Sequence, residues 1–234
     1  MIELKNIRLR REKFLLRVDK LEIKEGQKIF LVGASGAGKT TLLEILAGLE
    51  ENFEGEYRLD NISKEKLPPL NQRGIMFLSQ EFGLWEHLSV IEHIAFVLNK
   101  GESLETTKEA KEFLEIVGLL DKKDSKITQL STGQRQRLAL ARALSAKPKY
   151  LFLDEPFSNV DIVLAYELID IINKRKEIDK FALIQSTHHP FGFKDRGSRI
   201  IILSDGEIIQ QGEWSEIQKN PKSKWIKRWV ELVS

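Results

Sequence analysis

The chain has 234 residues, which at ~150 residues per domain allows between one and two domains and a sizeable buried core. Its 37 lysines and arginines almost cancel 35 aspartates and glutamates, so the formal net charge is only +2. That balance excludes disorder by charge repulsion and gives no overall field for binding nucleic acid. No apolar run approaches the ~18 residues that cross a bilayer, the N-terminus lacks a signal-peptide pattern, and there is no cysteine. We expect a folded protein that neither spans a membrane nor binds nucleic acid, and whose lack of cysteine suits a reducing compartment.

The first predicted elements divide the N-terminal part of the chain into two kinds of structure. Residues 2–9 and 14–23 alternate polar and apolar residues, which predicts half-buried antiparallel strands. Residues 28–32 (KIFLV) predict a buried strand, and a glycine-rich turn joins it to a helix predicted over residues 40–49. From here on, short apolar runs alternate with longer helical patterns, as in α/β folds with a largely parallel sheet.

The middle of the chain, residues 81–147, has helical spacing almost throughout. Its breaks fall at Lys100-Gly101 and at Gly118, where glycine interrupts the pattern. We therefore expect a helical subdomain inserted into the α/β core.

The last third of the chain returns to strands. Apolar strands are predicted at residues 150–153, 181–185, 200–203 and 207–211. Asp205-Gly206 predicts a hairpin turn between the last two of them, and residues 213–234 predict a short charged helical tail. No linker is long enough to separate two independent domains, so we expect a single domain over residues 1–234.

A glycine-rich segment follows the predicted strand at residues 28–32, and it reads Gly33-Ala34-Ser35-Gly36-Ala37-Gly38-Lys39-Thr40. This is the P-loop pattern of Gly, four residues and Gly-Lys-Ser/Thr, placed between a buried strand and a helix start. Small residues let backbone N–H groups curl around phosphate oxygens, and the helix N-terminus adds partial positive charge. We predict that this segment and Thr41 bind a nucleotide, that Lys39 faces the β- and γ-phosphates, and that the Thr40 hydroxyl binds Mg²⁺.

The predicted strand at residues 150–153 ends in two carboxylates, Asp154 and Glu155. Carboxylates at the carboxyl end of a parallel strand point into the crevice where α/β sheets bind ligands. We predict that Asp154 holds Mg²⁺ and that Glu155 orients or deprotonates an attacking water. The alternative, a strand that simply ends in a polar turn at Pro156, is disfavoured by the P-loop earlier in the chain.

A third motif precedes a helical run and reads Leu130-Ser131-Thr132-Gly133-Gln134. Ser131 and Gln134 fit a capping box, and a capped helix N-terminus with a serine hydroxyl and a glycine N–H is also an anion site. The motif closely resembles the signature motif of ABC-transporter ATPases. Together with the P-loop and Asp154-Glu155, in the expected order, the resemblance covers essentially the whole chain. It implies the ABC ATPase fold, a P-loop NTPase core with an N-terminal antiparallel β-subdomain and an inserted helical subdomain.

The resemblance also implies roles for single residues. In the family, the signature motif meets the γ-phosphate held by another subunit's P-loop, which assigns Ser131, Gly133 and Gln134 to nucleotide binding. Gln80 resembles the glutamine that contacts Mg²⁺ and the attacking water, and His188 resembles the switch histidine at the γ-phosphate. Residues 158–161 resemble the D-loop that crosses to the partner subunit. The catalytic residues implied are Lys39, Gln80, Glu155 and His188, and the Mg²⁺ ligands implied are Thr40, Gln80 and Asp154.

The sequence departs from the family pattern where adenine is bound. Family members usually stack the base on an aromatic residue upstream of the P-loop, and the matching stretch here offers Arg10, Arg11 and Phe14. Either a guanidinium or the phenyl ring could stack on the base. His189 follows His188 where an acidic residue is common, but adjacent residues at a strand end point apart, so we do not expect this pair to bind metal.

The partners and the function follow from the same resemblance. One P-loop and one signature motif per chain imply a dimer, either with a second copy or with another ABC ATPase. Residues 81–90 resemble the groove that receives a helix of an integral membrane permease; the alternative is an amphipathic connection packed on its own subdomain. We expect an ATP-hydrolysing subunit on the cytoplasmic face of the membrane that powers import of a small solute. A lipid- or lipoprotein-extruding system and a soluble ABC ATPase without a membrane partner remain alternatives.

Overall fold

The computed structural model describes residues 1–12, 14–98, 104–158, 160–187 and 197–233. The strands of this part of the chain are β1 (Ile2–Arg11), β2 (Phe14–Ile23), β3 (Lys28–Val32), β4 (Glu54–Leu59), β5 (Ile62–Ser63), β6 (Ile75–Leu78), β7 (Tyr150–Leu153), β8 (Ala182–Ser186), β9 (Ser198–Ser204) and β10 (Glu207–Gly212). Its α-helices are α1 (Lys39–Ala47), α2 (Val90–Leu98), α3 (Leu104–Ile116), α4 (Thr132–Ser145), α5 (Ile162–Asp179), α6 (Trp214–Lys219) and α7 (Lys224–Val233).

All the described strands belong to one sheet, in the order β5-β4-β1-β2-β10-β9-β3-β8-β7-β6. From β9 to β6 neighbouring strands run parallel, while β1, β2, β4 and β5 pair antiparallel. The two halves meet at β10, which pairs antiparallel with β9 and touches β2 in parallel through Glu207 and Arg17. The sequence analysis therefore predicted the antiparallel N-terminal region and the parallel core correctly.

Alternate residues of the central strand β3 pack into different cores. Ile29 and Leu31 join the apolar side chains of α1 and of the antiparallel strands. Phe30 and Val32 face the opposite way, into a core that includes Trp229 of α7. Because β3 is covered on both faces, its carboxyl end is held in place where the chain turns into the glycine-rich loop.

Residues 81–147, which were predicted to be helical almost throughout, are helical only in part. Helices α2, α3 and α4 pack on one another and on the parallel strands, but residues 81–89 form turns and a single β-bridge. Phe82 and Gly83 have φ angles of 64° and 54°, which a right-handed helix does not accommodate. Their carbonyls instead accept hydrogen bonds from the Arg142 guanidinium at 2.7 and 2.6 Å. The prediction of helix over residues 81–89 is wrong for this reason.

The predicted hairpin turn and the helical tail are present. Asp205 and Gly206 both have positive φ, 48° and 78°, as a tight turn between β9 and β10 requires. Beyond β10 the chain forms α6 and α7, which pack on the face of β3 and β9. Among the described residues, no helix combines the length and the apolar character that crossing a bilayer requires.

Candidate functional site

The glycine-rich segment forms a tight loop between β3 and α1. Gly38 precedes the helix with a φ of 101°, and a Cβ there would lie 2.7 Å from the ring of Phe14. Only glycine fits both the backbone angle and the space. Because α1 begins at Lys39, the N–H groups of its first turn, including those of Thr40 and Thr41, have no intrahelical acceptor. The loop therefore directs the N–H groups of Thr40 and Thr41, which have no intrahelical acceptor, and the positive end of α1 toward the cavity that it lines.

Lys39 lies across this loop. Its ammonium donates to the carbonyls of Gly33 and Ala34 at 3.0 and 3.2 Å. The same Nζ lies 3.5 Å from Oε1 of Glu155, and the Lys39 side chain is only 5% exposed. The structure thus brings the predicted phosphate-binding lysine beside the predicted catalytic carboxylate.

Asp154 is fixed by two hydroxyl groups at the end of β7. Thr40 Oγ1 donates to Asp154 Oδ2 at 2.7 Å, and Ser186 Oγ donates to Asp154 Oδ1 at 2.6 Å. The Asp154 side chain is buried, so each oxygen has a partner where water has little access. The hydroxyl and carboxylate oxygens of Thr40 and Asp154 are the hard donors that Mg²⁺ prefers, and their contact fits the predicted metal site.

Ser186 is a site residue that the sequence analysis did not identify. Besides binding Asp154, its Oγ accepts a hydrogen bond at 2.8 Å from the backbone N–H of Glu155. One buried hydroxyl therefore positions both carboxylate residues. In the sequence Ser186 directly follows a predicted apolar strand, but its contact with Asp154 depends on the pairing of β8 with β7.

Glu155 has a strained backbone and faces a cavity. Its φ of 46° is rarely adopted outside glycine and costs on the order of 1–3 kcal/mol, a kind of strain that clusters at functional sites. Gln80 approaches from the neighbouring strand end, with Nε2 3.5 Å from Ser158 Oγ, and Ser158 Oγ donates to the Glu155 carbonyl at 3.1 Å. The cavity holds about 580 Å³ and is lined by Phe14, Ser35, Gly36, Gly38, Lys39, Thr40, Thr41, Gln80 and Glu155.

The three candidates for stacking on adenine are now distinguishable by position. Phe14 lines the cavity beside the loop. Arg11 donates to Glu44 at 3.3 Å and to Glu50 at 2.5 Å, so its guanidinium is already engaged. Arg10 is exposed and does not line the cavity. The geometry therefore favours Phe14 over either arginine.

The signature motif lies elsewhere on the molecule. Ser131 is the N-cap of α4: its Oγ accepts from the Gln134 N–H at 3.3 Å, and Gln134 Oε1 accepts from the Ser131 N–H at 2.9 Å. The predicted capping box is thus present. None of Ser131, Gly133 and Gln134 lines the cavity at the P-loop, so the chain does not bring its own signature motif to its own loop.

Some predicted residues cannot be placed. His188, His189 and Asn159 lie outside the described residues. Of the segment predicted to cross to a partner, Ser158, Val160 and Asp161 are described, and Asp161 is the N-cap of α5, with Oδ1 accepting from the Leu164 N–H at 2.9 Å.

Trp85, just after Gln80, lies at the surface on a buried histidine. The indole, 37% exposed, stacks on His93 at 5.6 Å and meets Phe96 edge-on at 5.0 Å. Nε2 of His93 accepts from the Trp85 N–H at 2.9 Å, and its Nδ1 lies 2.7 Å from the Ser89 carbonyl. Burial lowers the pKa of His93, and the two contacts assign a neutral ring with its proton on Nδ1. A second cavity of about 840 Å³ begins beside it, lined in part by Leu88 and Phe96.

Several known proteins are similar to this chain in sequence. The profile described as ABC transporter matches residues 16–158. The chain is 37% identical to the spermidine/putrescine import ATP-binding protein PotA of Spiroplasma citri over 98% of this chain and 66% of that protein. It is also 37% identical to the probable sulfate/thiosulfate import ATP-binding protein CysA of Chlorella vulgaris, over 91% of this chain and 90% of that one.

A solved structure extends the likeness to the fold. A dimeric ATP-binding cassette in a post-hydrolysis state, bound to ADP and Pi, is 31% identical, with a TM-score of 0.79, over 91% of this chain and 98% of that one. The chain spans 66% of the Spiroplasma protein and 57% of the maltose/maltodextrin import protein MalK of Photorhabdus laumondii.

Proposed function

Because the chain belongs to the ABC transporter family, we propose that it is the ATP-binding and ATP-hydrolysing subunit of a transporter that imports a small solute. The observation that carries the proposal is the single cavity in which Lys39, Thr40 and Glu155 meet, with Asp154 bonded to Thr40. PotA, MalK and CysA, three proteins similar to this chain, are import ATP-binding proteins, which favours import over extrusion. The identity of the solute depends on other subunits.

The residues in and beside the cavity have different proposed roles in binding ATP and Mg²⁺. The N–H groups of the loop and the ammonium of Lys39 hold the phosphates, since both present positive charge to the same space. Thr40, Asp154 and Gln80 are the proposed ligands of Mg²⁺, which when bound offsets the negative charge of the phosphates. Phe14 is the proposed platform for the base.

Glu155 is the proposed general base. Its carboxylate, 3.5 Å from Lys39 Nζ, lies at the carboxyl edge of the sheet beside the phosphate-binding loop, where it can accept a proton from water. Ser186 positions Glu155 through its backbone N–H. His188 follows strand β8 in the chain, two residues after Ser186. We assign it the γ-phosphate contact on resemblance alone.

The separation of the two motifs calls for a second chain. A P-loop without a signature motif leaves the γ-phosphate side of the cavity open to water, and the capped N-terminus of α4 presents a hydroxyl and free N–H groups that suit a phosphate. We propose that Ser131, Gly133 and Gln134 close the ATP site of a partner subunit, and the partner closes this one. The partner is a second copy of this chain or a related ABC ATPase in the same role.

We propose that the surface around Trp85 contacts an integral membrane permease and that the protein therefore acts at the cytoplasmic face of the membrane. Trp85, Leu88 and Phe96 expose apolar area around the cavity beside α2. The segment is continuous with Gln80, so a displacement at the γ-phosphate reaches this surface through a few residues of chain.

A phosphate-release assay tests the enzyme directly. In Lys39→Ala we expect hydrolysis to fall by roughly 10²-fold or more, because the ammonium facing the phosphates is lost. Lys174→Ala, an exposed lysine of α5 outside the cavity, should hydrolyse ATP as the wild type does. Thermal unfolding should show that both variants are folded. Near-normal hydrolysis by a folded Lys39→Ala chain would refute the site.

A further inference from the structure

A separate cavity lies at the opposite edge of the parallel sheet. It holds about 550 Å³ and is lined by Gly26, Lys28, Asn173, Lys176, Glu177, Lys180, Gly197 and Ser198. Lys28 and Ser198 open the parallel strands β3 and β9, whereas the P-loop follows the other end of β3. The five residues of β3, about 16 Å of extended chain, separate the two cavities.

Lysines predominate among the described residues that line this cavity. Lys28, Lys176 and Lys180 line it together with one acidic residue, Glu177. Burial, together with the neighbouring Lys28 and Lys180, lowers the pKa of Lys176, so the lysines repel one another across the cavity. The described residues supply Lys180 with no carboxylate within 4 Å. A bound anion would relieve this repulsion.

The polar groups around the lysines are donors as well. Lys28 Nζ donates to Asn173 Oδ1 at 3.0 Å, which leaves the amide nitrogen of Asn173 as the group free to donate. Lys176 Nζ donates to the Gly26 carbonyl. Ser198 is 2% exposed, and among the described residues its Oγ has no hydrogen-bond partner. A buried hydroxyl without a partner costs about 1–3 kcal/mol, and an acceptor in the cavity would satisfy it after rotation about its Cα–Cβ bond.

We infer that this cavity binds a small phosphate-bearing anion, free phosphate or a phosphomonoester. Among the described residues that line the cavity, the ammonium groups of Lys176 and Lys180 outnumber the carboxylate of Glu177, and this positive charge attracts an anion. The volume falls within the ~300–1,000 Å³ of small-molecule sites and leaves room for an organic group. The carbonyls at the end of α5 oppose an anion, and Lys176 and Lys180 lie at that end to offset them.

Calorimetric titration of the full chain carrying Lys39→Ala, which weakens phosphate binding at the P-loop, tests the inference. Inorganic phosphate and glycerol 3-phosphate are the two probes. We expect saturable binding that weakens at least tenfold when Lys176→Gln and Lys180→Gln are added, because two charges that face the anion are removed. Lys174→Gln, on the exposed side of the same helix, should leave binding unchanged. Tighter binding of glycerol 3-phosphate would identify a phosphomonoester site, and equal binding a site for phosphate itself.

Ser198→Ala provides a second measurement that does not depend on the lysines. Without phosphate the variant should melt at or above the wild-type temperature, because an unpartnered buried hydroxyl is removed. With phosphate it should gain less thermal stability than the wild type does. The inference is overturned if the Lys39→Ala chain binds neither probe, or if the Lys176 and Lys180 substitutions leave binding unaltered.

Discussion

Ser186 connects the two carboxylates on which the proposed chemistry depends. Its hydroxyl donates to Asp154 and accepts from the Glu155 N–H, both within 2.8 Å, in a part of the site that is closed to water. Hydrogen bonds to charged groups are worth roughly 1.5–3 kcal/mol, so the loss of this hydroxyl should be measurable. The residue acts through Asp154 and Glu155 and is therefore a positioning residue.

We predict that Ser186→Ala lowers the rate of ATP hydrolysis about tenfold, which corresponds to ~1.4 kcal/mol in the barrier, with little change in ATP affinity. Ser186→Thr keeps the hydroxyl and should restore most of the rate. Ser204→Ala, a serine at the end of β9 whose hydroxyl binds only the adjacent Asp205 among the described residues, is the matched control. Steady-state kinetics measure the maximal rate of hydrolysis of each variant. An unchanged maximal rate in Ser186→Ala would show that the hydroxyl does not position the site.

At the scale of elements, the neutral imidazole of His93 in α2 binds the backbone of the segment that precedes this helix. His93 is fully buried between Trp85 and the Ser89 carbonyl, and burial lowers its pKa. The unfolded chain, whose histidine titrates near 6.5, therefore binds a proton more readily than the folded chain does. The neutral His93 therefore costs no stability well above pH 6.5, and its contribution lowers the free energy of unfolding as the pH falls below that value.

We predict that the free energy of unfolding falls more steeply in the wild type than in His93→Gln between pH 6.5 and 5.5, by up to about 1.4 kcal/mol per pH unit for one proton. Urea unfolding at a series of pH values measures the two slopes. His87→Gln, which changes an exposed histidine, should keep the wild-type slope. Parallel curves for the wild type and His93→Gln would mean that His93 is not held neutral in the folded chain.

The elements also show where sequence reasoning succeeds. The strands at 28–32 and 150–153 have the predicted bounds because both faces are buried, so each sequence is a continuous apolar run. Strand β4 was not predicted, because only Tyr57 and Leu59 of its six residues are buried and the rest read as a polar loop. Helix α5 was also not predicted, because its apolar residues are spread around the helix rather than along one stripe.

Some residues of the candidate site could likewise be predicted from the sequence, and others could not. The loop that ends at Thr40 and the pair Asp154-Glu155 were predicted because each is a contiguous motif with its chemistry in the sequence. Ser186 was missed because its role exists only once β8 lies beside β7. The choice of Phe14 over Arg11 likewise required the structure, since the acidic partners of Arg11 lie more than thirty residues away in the chain.

At the scale of the whole molecule, the two halves of the proposed ATP site lie apart on one chain. The P-loop cavity is at the carboxyl edge of the parallel sheet, and the signature motif caps α4 in the helical region without lining that cavity. Two chains in opposite orientation would pair each loop with the other chain's signature motif, which is the isologous arrangement of a two-fold dimer. Under the proposed function, ATP therefore joins the two chains and its hydrolysis releases them.

The mass of the Glu155→Gln variant in the presence of ATP and Mg²⁺ tests most directly whether ATP joins two chains. The amide should slow cleavage roughly 10²-fold or more while leaving ATP binding intact, so that the ATP-joined species accumulates. Sedimentation velocity should then show twice the 27.0 kDa of one chain. Adding Ser131→Arg, which places a bulky cation at the tip of α4, should return the protein to 27.0 kDa although it still binds ATP. A 27.0 kDa species for Glu155→Gln at saturating ATP, or a dimer indifferent to Ser131→Arg, would contradict the account.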